Sequence, residues 1–392
     1  MSAEEAQRKL EKPVLDIAKA TQVVESCYGL TVEKSTMKEL NSYDDRNFFF
    51  RAADSRSQVA DRRSQYGTGT HSYVIKFHNG VESLRPDLIQ AQNEVMAQLE
   101  KNGLPVQQVM LEDSTQSRVS WVSLTLSDGK TIRDHAVRLF TYLEGSLLAE
   151  TVQTPEVLYQ TGQFIGRMDL ALRSLHSPHS HALVREHLWD LKNSKCLSDF
   201  VHCVKDEGRR KLAISVLTEF EERVLPYAEN LRTGVIHNDA NDQNILYDRA
   251  GKKLVGILDF GDTLETWIVN EIAIAVAYIM LEKKDPLEAG ARLLSGYIDH
   301  FPLNKLEVSL LPTLVACRLT CTCVMGAYSH QQEPDNDYLL LTQEPGWKAL
   351  QEFRNAESSL LMEMTTCRFE NIVGTSKYTA AAGIPAELVE QQ

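Results

Sequence analysis

The chain has 392 residues, enough for about two domains, and its 43% hydrophobic and 24% charged residues are typical of a globular protein. Its 41 lysines and arginines against 54 aspartates and glutamates give a net charge of −13, which argues against nucleic acid or an anionic membrane as the main partner. Seven cysteines without a CxxC pair indicate a reducing compartment. The sequence begins with acidic residues and lacks the features of a signal peptide. Its longest apolar run, 272–281, is too short to span a bilayer. We therefore expect a soluble cytoplasmic protein.

Strand patterns dominate the first third of the chain. We predict strands at 31–34, 47–51, 72–77, 119–126 and 136–143, a hairpin loop at 52–70 and a helix at 86–101. After Gly145 the patterns become helical. We predict helices at 155–175, 270–282, 284–299, 306–328 and 345–364, a largely helical stretch at 201–230, and two buried strands at 234–237 and 254–259.

This order of elements predicts an α+β protein with two lobes. We expect an N-terminal extension at 1–20, a strand-rich small lobe at 21–145, a mainly helical large lobe at 146–379 and a flexible tail at 380–392. Chains with two lobes often bind their ligand in the cleft.

The clearest chemical signal is the run from His237 to Asn244, which fits H-x-D-x-x-x-x-N and directly follows an apolar strand. Fifteen positions after Asn244, Asp259-Phe-Gly follows a second apolar strand. Phosphoryl transfer needs one carboxylate to accept the proton of the attacking hydroxyl, and a second carboxylate with an amide oxygen to hold Mg²⁺. We therefore predict Asp239 as the catalytic base, and Asn244 and Asp259 as Mg²⁺ ligands. Each motif alone is also typical of an ordinary turn. The two motifs in this order, each directly after a predicted strand, favour the catalytic interpretation. We interpret His237 as structural.

The small lobe supplies residues for the nucleotide. Lys76 ends a strand and Glu94 lies on the following helix, so together they can clamp the α- and β-phosphates; two solvated charges are the alternative. The stretch 139–144 ends the last strand of the lobe, and its backbone can bind the nucleotide base. We predict a nucleotide site containing Lys76, Glu94, Asn47, Phe140 and Tyr142.

These motifs resemble the aminoglycoside phosphotransferase and choline kinase superfamily, over about 39–361. The resemblance implies a protein-kinase-like fold and a small-molecule kinase that uses Mg²⁺ and GTP, or ATP, as phosphoryl donor. The sequence departs from the family in having no glycine between Gly29 and Gly67, so 41–47 must form the phosphate-binding turn with asparagine and aspartate. Glu271 stands where the family has aspartate, and we interpret it as a structural brace.

The acceptor is predicted to be a cationic hydroxy amino acid, and the resemblance favours 5-hydroxy-L-lysine. Asp242, Asp262 and Glu265 lie within a few residues of the catalytic and metal-binding loops and can hold an ammonium group, although turn formation explains any one of them equally well. Arg318 is the candidate cation for the carboxylate of the acceptor. Homoserine, choline and an aminoglycoside remain alternative acceptors.

Two other functions are alternatives to a small-molecule kinase. A protein kinase is disfavoured because Asn238 replaces the arginine of an HRD loop. In addition, only about ten residues separate Asp259-Phe-Gly from the next predicted helix, which leaves no room for an activation loop. A non-catalytic nucleotide-binding module would have lost at least one of Asp239, Asn244, Asp259 or Lys76, and all four are present.

Overall fold

The computed structural model describes residues 7, 8, 10–42, 44–54, 70–126, 129–332 and 343–355. Most of the predicted hairpin loop at 52–70 and the whole predicted tail at 380–392 lie outside these residues. The chain divides into two compact units after Glu144. Leu175–Val184 and Val255–Leu258 also belong to the first unit, although they come later in the sequence.

The first unit is built on a six-stranded antiparallel sheet. Its strands are β1 (Leu30–Val32), β2 (Lys38–Leu40), β3 (Arg46–Asp54), β4 (Thr70–Phe77), β5 (Ser120–Thr125) and β6 (Ile132–Thr141). They lie in the order β1-β3-β4-β6-β5, and β2 also pairs with β3. In the centre of the sheet, Lys76 lies opposite Asn47 on one side and Arg138 on the other. The strand-rich first lobe is confirmed; β2 was not predicted.

α-Helices and short helical turns accompany the sheet in the described part of the first unit. They are α1 (Ile17–Tyr28), α2 (Gly80–Ser83), α3 (Pro86–Lys101) and the turns Lys34–Thr36 and Ser180–Leu183. Asp16 caps α1 by accepting a hydrogen bond from the backbone N–H of Lys19, and Gly29 ends the helix in the left-handed conformation at φ +60°. Helix α3 has the predicted bounds. Large side chains of the sheet form a fully buried core: Phe48, Phe50, Ile75, Phe77 and Leu139.

The second unit is mainly helical. Its helices are α4 (Pro155–Leu172), α5 (Glu207–Glu219), α6 (Val269–Ile279), α7 (Pro286–Ile298), α8 (Lys305–Gln332) and α9 (Gln343–Asn355). Shorter helical turns lie at Leu148–Glu150, Leu191–Asp199, Val201–Cys203, Phe220–Val224 and Leu225–Asn230. Short strands pair antiparallel, β7 (Ser146–Leu147) with β9 (Ile245–Tyr247) and β8 (Thr233–Ile236) with β11 (Leu264–Trp267). Strand β10 (Leu254–Ile257) lies almost wholly in the first unit.

Helices α4 and α7 approach each other through glycine. A Cβ atom built on Gly162 would lie 1.9 Å from the carbonyl oxygen of Leu293, and one on Gly296 would lie 1.9 Å from that of Tyr159. No side chain fits in either position, so both glycines are required for this helix contact.

Helix α8, with 28 residues, is the longest helix of the described chain. It is long and apolar enough to cross a membrane by composition alone, but 83% of its most apolar window is buried inside the protein. This burial is what a core helix of a helical unit requires. Cys317, Cys321 and Cys323 lie on α8 as buried free thiols and belong to the core.

Candidate active site

The loop after β8 is held by a buried carboxylate. The Oε2 atom of Glu271, on α6, accepts the backbone N–H of His237 at 2.5 Å and that of Asn238 at 3.3 Å. Asn238 has a left-handed backbone at φ +66°. The His237 ring packs edge-on against Phe260, and its Nδ1 accepts the backbone N–H of Asp239. Glu271 and His237 therefore support the loop, which agrees with their interpretation as structural residues.

Asp239 presents a fixed carboxylate from this loop. Its Oδ1 atom accepts hydrogen bonds from Asn241 Nδ2 at 2.9 Å and from the guanidinium of Arg318 at 3.0 Å. Its Oδ2 atom accepts one from Asn244 Nδ2 at 2.8 Å. A carboxylate offers about four acceptor positions, so Oδ2 keeps capacity for a further donor such as a substrate hydroxyl. The side chain is 23% exposed, which leaves it reachable.

Two more carboxylates act on Asp239. Burial raises the pKa of Asp239 to about 8; the Arg318 cation lowers it, while the negative charges of Asp262 and Asp259 raise it. Three carboxylates in one region repel one another, and a cation placed among them would relieve that repulsion. This part of the second unit therefore favours positively charged ligands.

The predicted metal ligands suit Mg²⁺. Both described contacts of the Asn244 side chain use its nitrogen, which donates to the backbone oxygen and to Oδ2 of Asp239. That orientation assigns the amide oxygen to the side away from Asp239. Asp259 is exposed, has a left-handed backbone at φ +55°, and accepts the backbone N–H of Gly261 through Oδ1. A carboxylate and an amide oxygen are hard oxygen ligands of the kind that Mg²⁺ prefers.

Among the predicted acceptor residues, Asp262 is one whose charge acts on Asp239. Its side chain is 33% exposed and contacts His187 Nε2 at 3.4 Å. Arg185 holds the surrounding loop by donating to the carbonyl oxygens of Gly261 and Thr263.

The other predicted acceptor residues are placed differently. The charges that act on Asp242 are Lys283 and Glu282, and Glu265 is exposed on strand β11. The part of Asp242 and Glu265 in an acceptor site therefore stays a prediction. Arg318 is 1% exposed, which argues against the predicted direct contact with an acceptor carboxylate.

In the first unit, Lys76 is held by an aspartate of the glycine-free turn. Lys76 Nζ lies 2.8 Å from Asp45 Oδ2, and Asp45 Oδ1 accepts the backbone N–H of Asn79 at 2.7 Å. Asp44 pairs with Arg8 at 2.5 Å. Both acidic side chains of the turn are therefore paired with cations of the same unit.

Glu94 has partners on a later segment. Its carboxylate contacts His179 Nδ1 at 2.9 Å and accepts a hydrogen bond from the Ser177 hydroxyl. The Lys76–Glu94 clamp stays a prediction, whereas Asp45 is an observed partner of Lys76.

The two aromatic residues predicted to bind the nucleotide differ in exposure. Phe140 is 6% exposed, its backbone lies between Val74 and Val109, and the Arg138 guanidinium covers its ring. The Phe140 ring therefore belongs to the core, and a contact of its backbone with the nucleotide base stays a prediction. Tyr142 is 38% exposed and stays a candidate for the nucleotide site.

Sequence reasoning missed several residues around Asp239. Trp189 and Tyr278 lie over the guanidinium of Arg318, and Asn241 holds Asp239 directly. Tyr278 follows Glu271 by seven positions on α6, two helical turns, so it lies on the same helix face. That spacing could have indicated that Tyr278 lies near the catalytic loop, as Glu271 does. No local pattern indicates Trp189.

The chain is similar to known proteins in sequence and in fold. Residues 39–303 match the model of the phosphotransferase enzyme family. A hydroxylysine kinase of Xenopus laevis is 37% identical over 353 residues, which cover 87% of this chain and 90% of that protein. A hydroxylysine kinase of Mus musculus is 33% identical, with coverage of 87% and 90%. The solved structure of a microcompartment-associated aminopropanol kinase, at 16% identity, has the same fold with a TM-score of 0.64, covering 89% of this chain and 100% of that one.

Proposed function

This chain belongs to the phosphotransferase enzyme family, and from that premise we propose that it transfers the γ-phosphate of a nucleoside triphosphate to the hydroxyl group of 5-hydroxy-L-lysine. The acceptor follows from the likeness to two hydroxylysine kinases over most of the chain. The product would be 5-phosphohydroxy-L-lysine. We propose GTP as the preferred phosphoryl donor, with ATP as the alternative. We also propose that the protein acts in the cytoplasm.

The observation that carries the proposal is the hydrogen bonding of Asp239. Two donors occupy Oδ1 and one occupies Oδ2, so the carboxylate is held in one orientation with Oδ2 available to a hydroxyl. In that position Oδ2 would accept a hydrogen bond from the acceptor hydroxyl, orient its oxygen toward the γ-phosphorus and take up its proton. Burial raises the pKa of Asp239, so its ionised carboxylate accepts a proton more readily than that of an ordinary aspartate.

Other residues would bind the two substrates. Asn244 and Asp259 would hold Mg²⁺, which neutralises charge on the phosphates of the nucleotide when bound. Lys76, steadied by Asp45 at 2.8 Å, would contact the phosphates as a second cation. Asp262 would attract an ammonium group of the acceptor.

The direct test is detection of the phosphorylated product. Wild-type protein incubated with 5-hydroxy-L-lysine, Mg²⁺ and GTP or ATP should give a product heavier by one phosphoryl group in mass spectrometry. Asp239→Asn keeps the shape but removes the proton acceptor, so turnover should fall by about 10²–10⁴-fold. A retained thermal shift with Mg-nucleotide would show that the variant is folded. Wild-type turnover by Asp239→Asn would remove Asp239 as the base.

A further inference from the structure

Arg318 lies close to two aromatic rings in the second unit. Its guanidinium carbon is 5.3 Å from the ring centre of Trp189 and 5.2 Å from that of Tyr278. Both distances are within the range of cation–π attraction, which is stronger where water is excluded. The side chain is 1% exposed, so the rings and their surroundings seal the guanidinium from solvent.

Hydrogen bonds fix the same guanidinium at its edge. One terminal nitrogen donates to the carbonyl oxygen of Trp189 at 3.2 Å. The other donates to Asp239 Oδ1 at 3.0 Å and to the hydroxyl of Tyr278 at 3.3 Å. The Tyr278 hydroxyl is itself held by the hydroxyl of Thr322, one turn further along α8. A planar guanidinium packed close to two rings and hydrogen-bonded through both terminal nitrogens has little freedom to turn.

This arrangement separates Arg318 from the acceptor. A residue that binds the carboxylate of a substrate must present donors to the open site, whereas both terminal nitrogens of Arg318 already donate to groups of the protein. The exposed member of the pair is Asp239, with 23% of its side chain accessible. Any effect of Arg318 on the reaction must therefore pass through Asp239.

We infer that Arg318, clamped by Trp189 and Tyr278, is a positioning residue that holds Oδ1 of Asp239 so that Oδ2 faces the acceptor hydroxyl. The inference rests on the proposed role of Asp239 as base. With Arg318 and Asn241 on Oδ1, rotation of the carboxylate would break two hydrogen bonds at once. The buried cation also compensates the negative charge of Asp239 beside Asp259 and Asp262.

The test is a comparison of steady-state constants for Arg318→Met. Turnover should fall about 100-fold, because a small misplacement of a catalytic group has effects of that size. The KM for the acceptor and the Kd for Mg-nucleotide should stay at the wild-type values, since Arg318 contacts neither substrate. A wild-type kcat would overturn the inference.

A second acceptor separates positioning from direct binding. 5-Hydroxy-L-lysine and its decarboxylated analogue, 1,5-diaminopentan-2-ol, differ in the carboxylate alone. If Arg318 acts through Asp239, Arg318→Met lowers kcat/KM for both by the same factor and leaves their ratio unchanged. If Arg318 binds the carboxylate, the preference for hydroxylysine disappears in the variant, and the inference is wrong.

Two further variants complete the design. Arg232→Met removes the ion pair with Glu307, at 2.5 Å in the same unit, so it should lower the melting temperature while kcat stays unchanged. Arg318→Lys keeps the charge without the planar fork, and should recover part of the lost kcat. If Arg318→Met does not fold, Arg318→Lys decides alone: reduced kcat with unchanged KM supports the inference, and wild-type kcat overturns it. Asp239→Asn is measured in parallel: its full activity would refute the proposed base and the role of Arg318 with it, whereas an inactive Asp239→Asn beside a fully active Arg318→Met would refute the role of Arg318 alone.

Discussion

Glu271 offers the sharpest test of how the catalytic loop is built. Its side chain is completely buried, and its Oε2 atom accepts the backbone N–H groups of His237 and Asn238. A buried N–H left without an acceptor costs about 1–3 kcal/mol. Glu271→Ala leaves two such groups, so the free energy of unfolding should fall by about 2–6 kcal/mol. Glu271→Gln keeps an acceptor oxygen and should lose much less.

The same residue predicts a pH dependence. Burial raises the pKa of Glu271 from 4.5 to about 7. A raised carboxyl pKa means that the folded protein prefers the neutral acid, so the stability contributed by this group is complete below pH 4.5 and is lost as pH rises through about 7. Each pKa unit corresponds to about 1.4 kcal/mol, which gives roughly 3 kcal/mol over this range. Glu271→Gln cannot ionise, so its stability relative to wild type should improve as pH rises.

Urea unfolding at pH 5.5 and pH 8.5 measures both effects. Wild type, Glu271→Ala and Glu271→Gln are compared with Glu288→Gln, a control on the exposed side of helix α7 that should match wild type at both values. Equal stability of the alanine and glutamine variants at pH 5.5 would refute the role of Glu271 as the acceptor for the loop. An unchanged difference between glutamine variant and wild type across the two pH values would refute the raised pKa.

Three further predictions concern the metal, the nucleotide and the helix contact. Asp259→Ala should abolish Mg²⁺-dependent nucleotide binding or turnover, measured by titration with and without the metal; normal saturation and turnover would disprove the ligand assignment. Lys76→Ala should weaken nucleotide binding without unfolding the chain, and unchanged kinetics would mean that Lys76 is only a structural partner of Asp45. Gly296→Ala should lower the melting temperature strongly, because its Cβ would lie 1.9 Å from the carbonyl oxygen of Tyr159; Gly208→Ala, whose Cβ would meet Asp206 Oδ1 at 3.2 Å, is the tolerant control.

The motifs around Asp239 could be predicted because their geometry is local. Five positions separate Asp239 from Asn244, and a short loop between them brings the two side chains to 2.8 Å. The bounds of helix α3 followed from Pro86 at its start and apolar periodicity along its length. Patterns of this kind depend on neighbouring residues in the sequence, so they can be recognised without knowledge of the tertiary structure.

The partners of the charged residues could not be predicted, because they join distant parts of the chain. Lys76 was expected to pair with Glu94 on the next helix, but an observed partner is Asp45, 31 positions earlier. Arg318 was expected to face the acceptor, but it is buried against Asp239, 79 positions earlier. Sequence patterns indicate which charges are present, whereas the packing of helices and strands decides which of them meet.

The preference for an acceptor tests the central claim most directly. Wild-type protein is supplied with 5-hydroxy-L-lysine, homoserine, choline and an aminoglycoside, each with GTP and with ATP, and kcat/KM is measured for every pair. We expect hydroxylysine to be the preferred acceptor, with GTP as the preferred donor. Preference for choline or the aminoglycoside would contradict the amino acid acceptor, and the absence of phosphoryl transfer to all four acceptors with either nucleotide would contradict the proposed kinase activity.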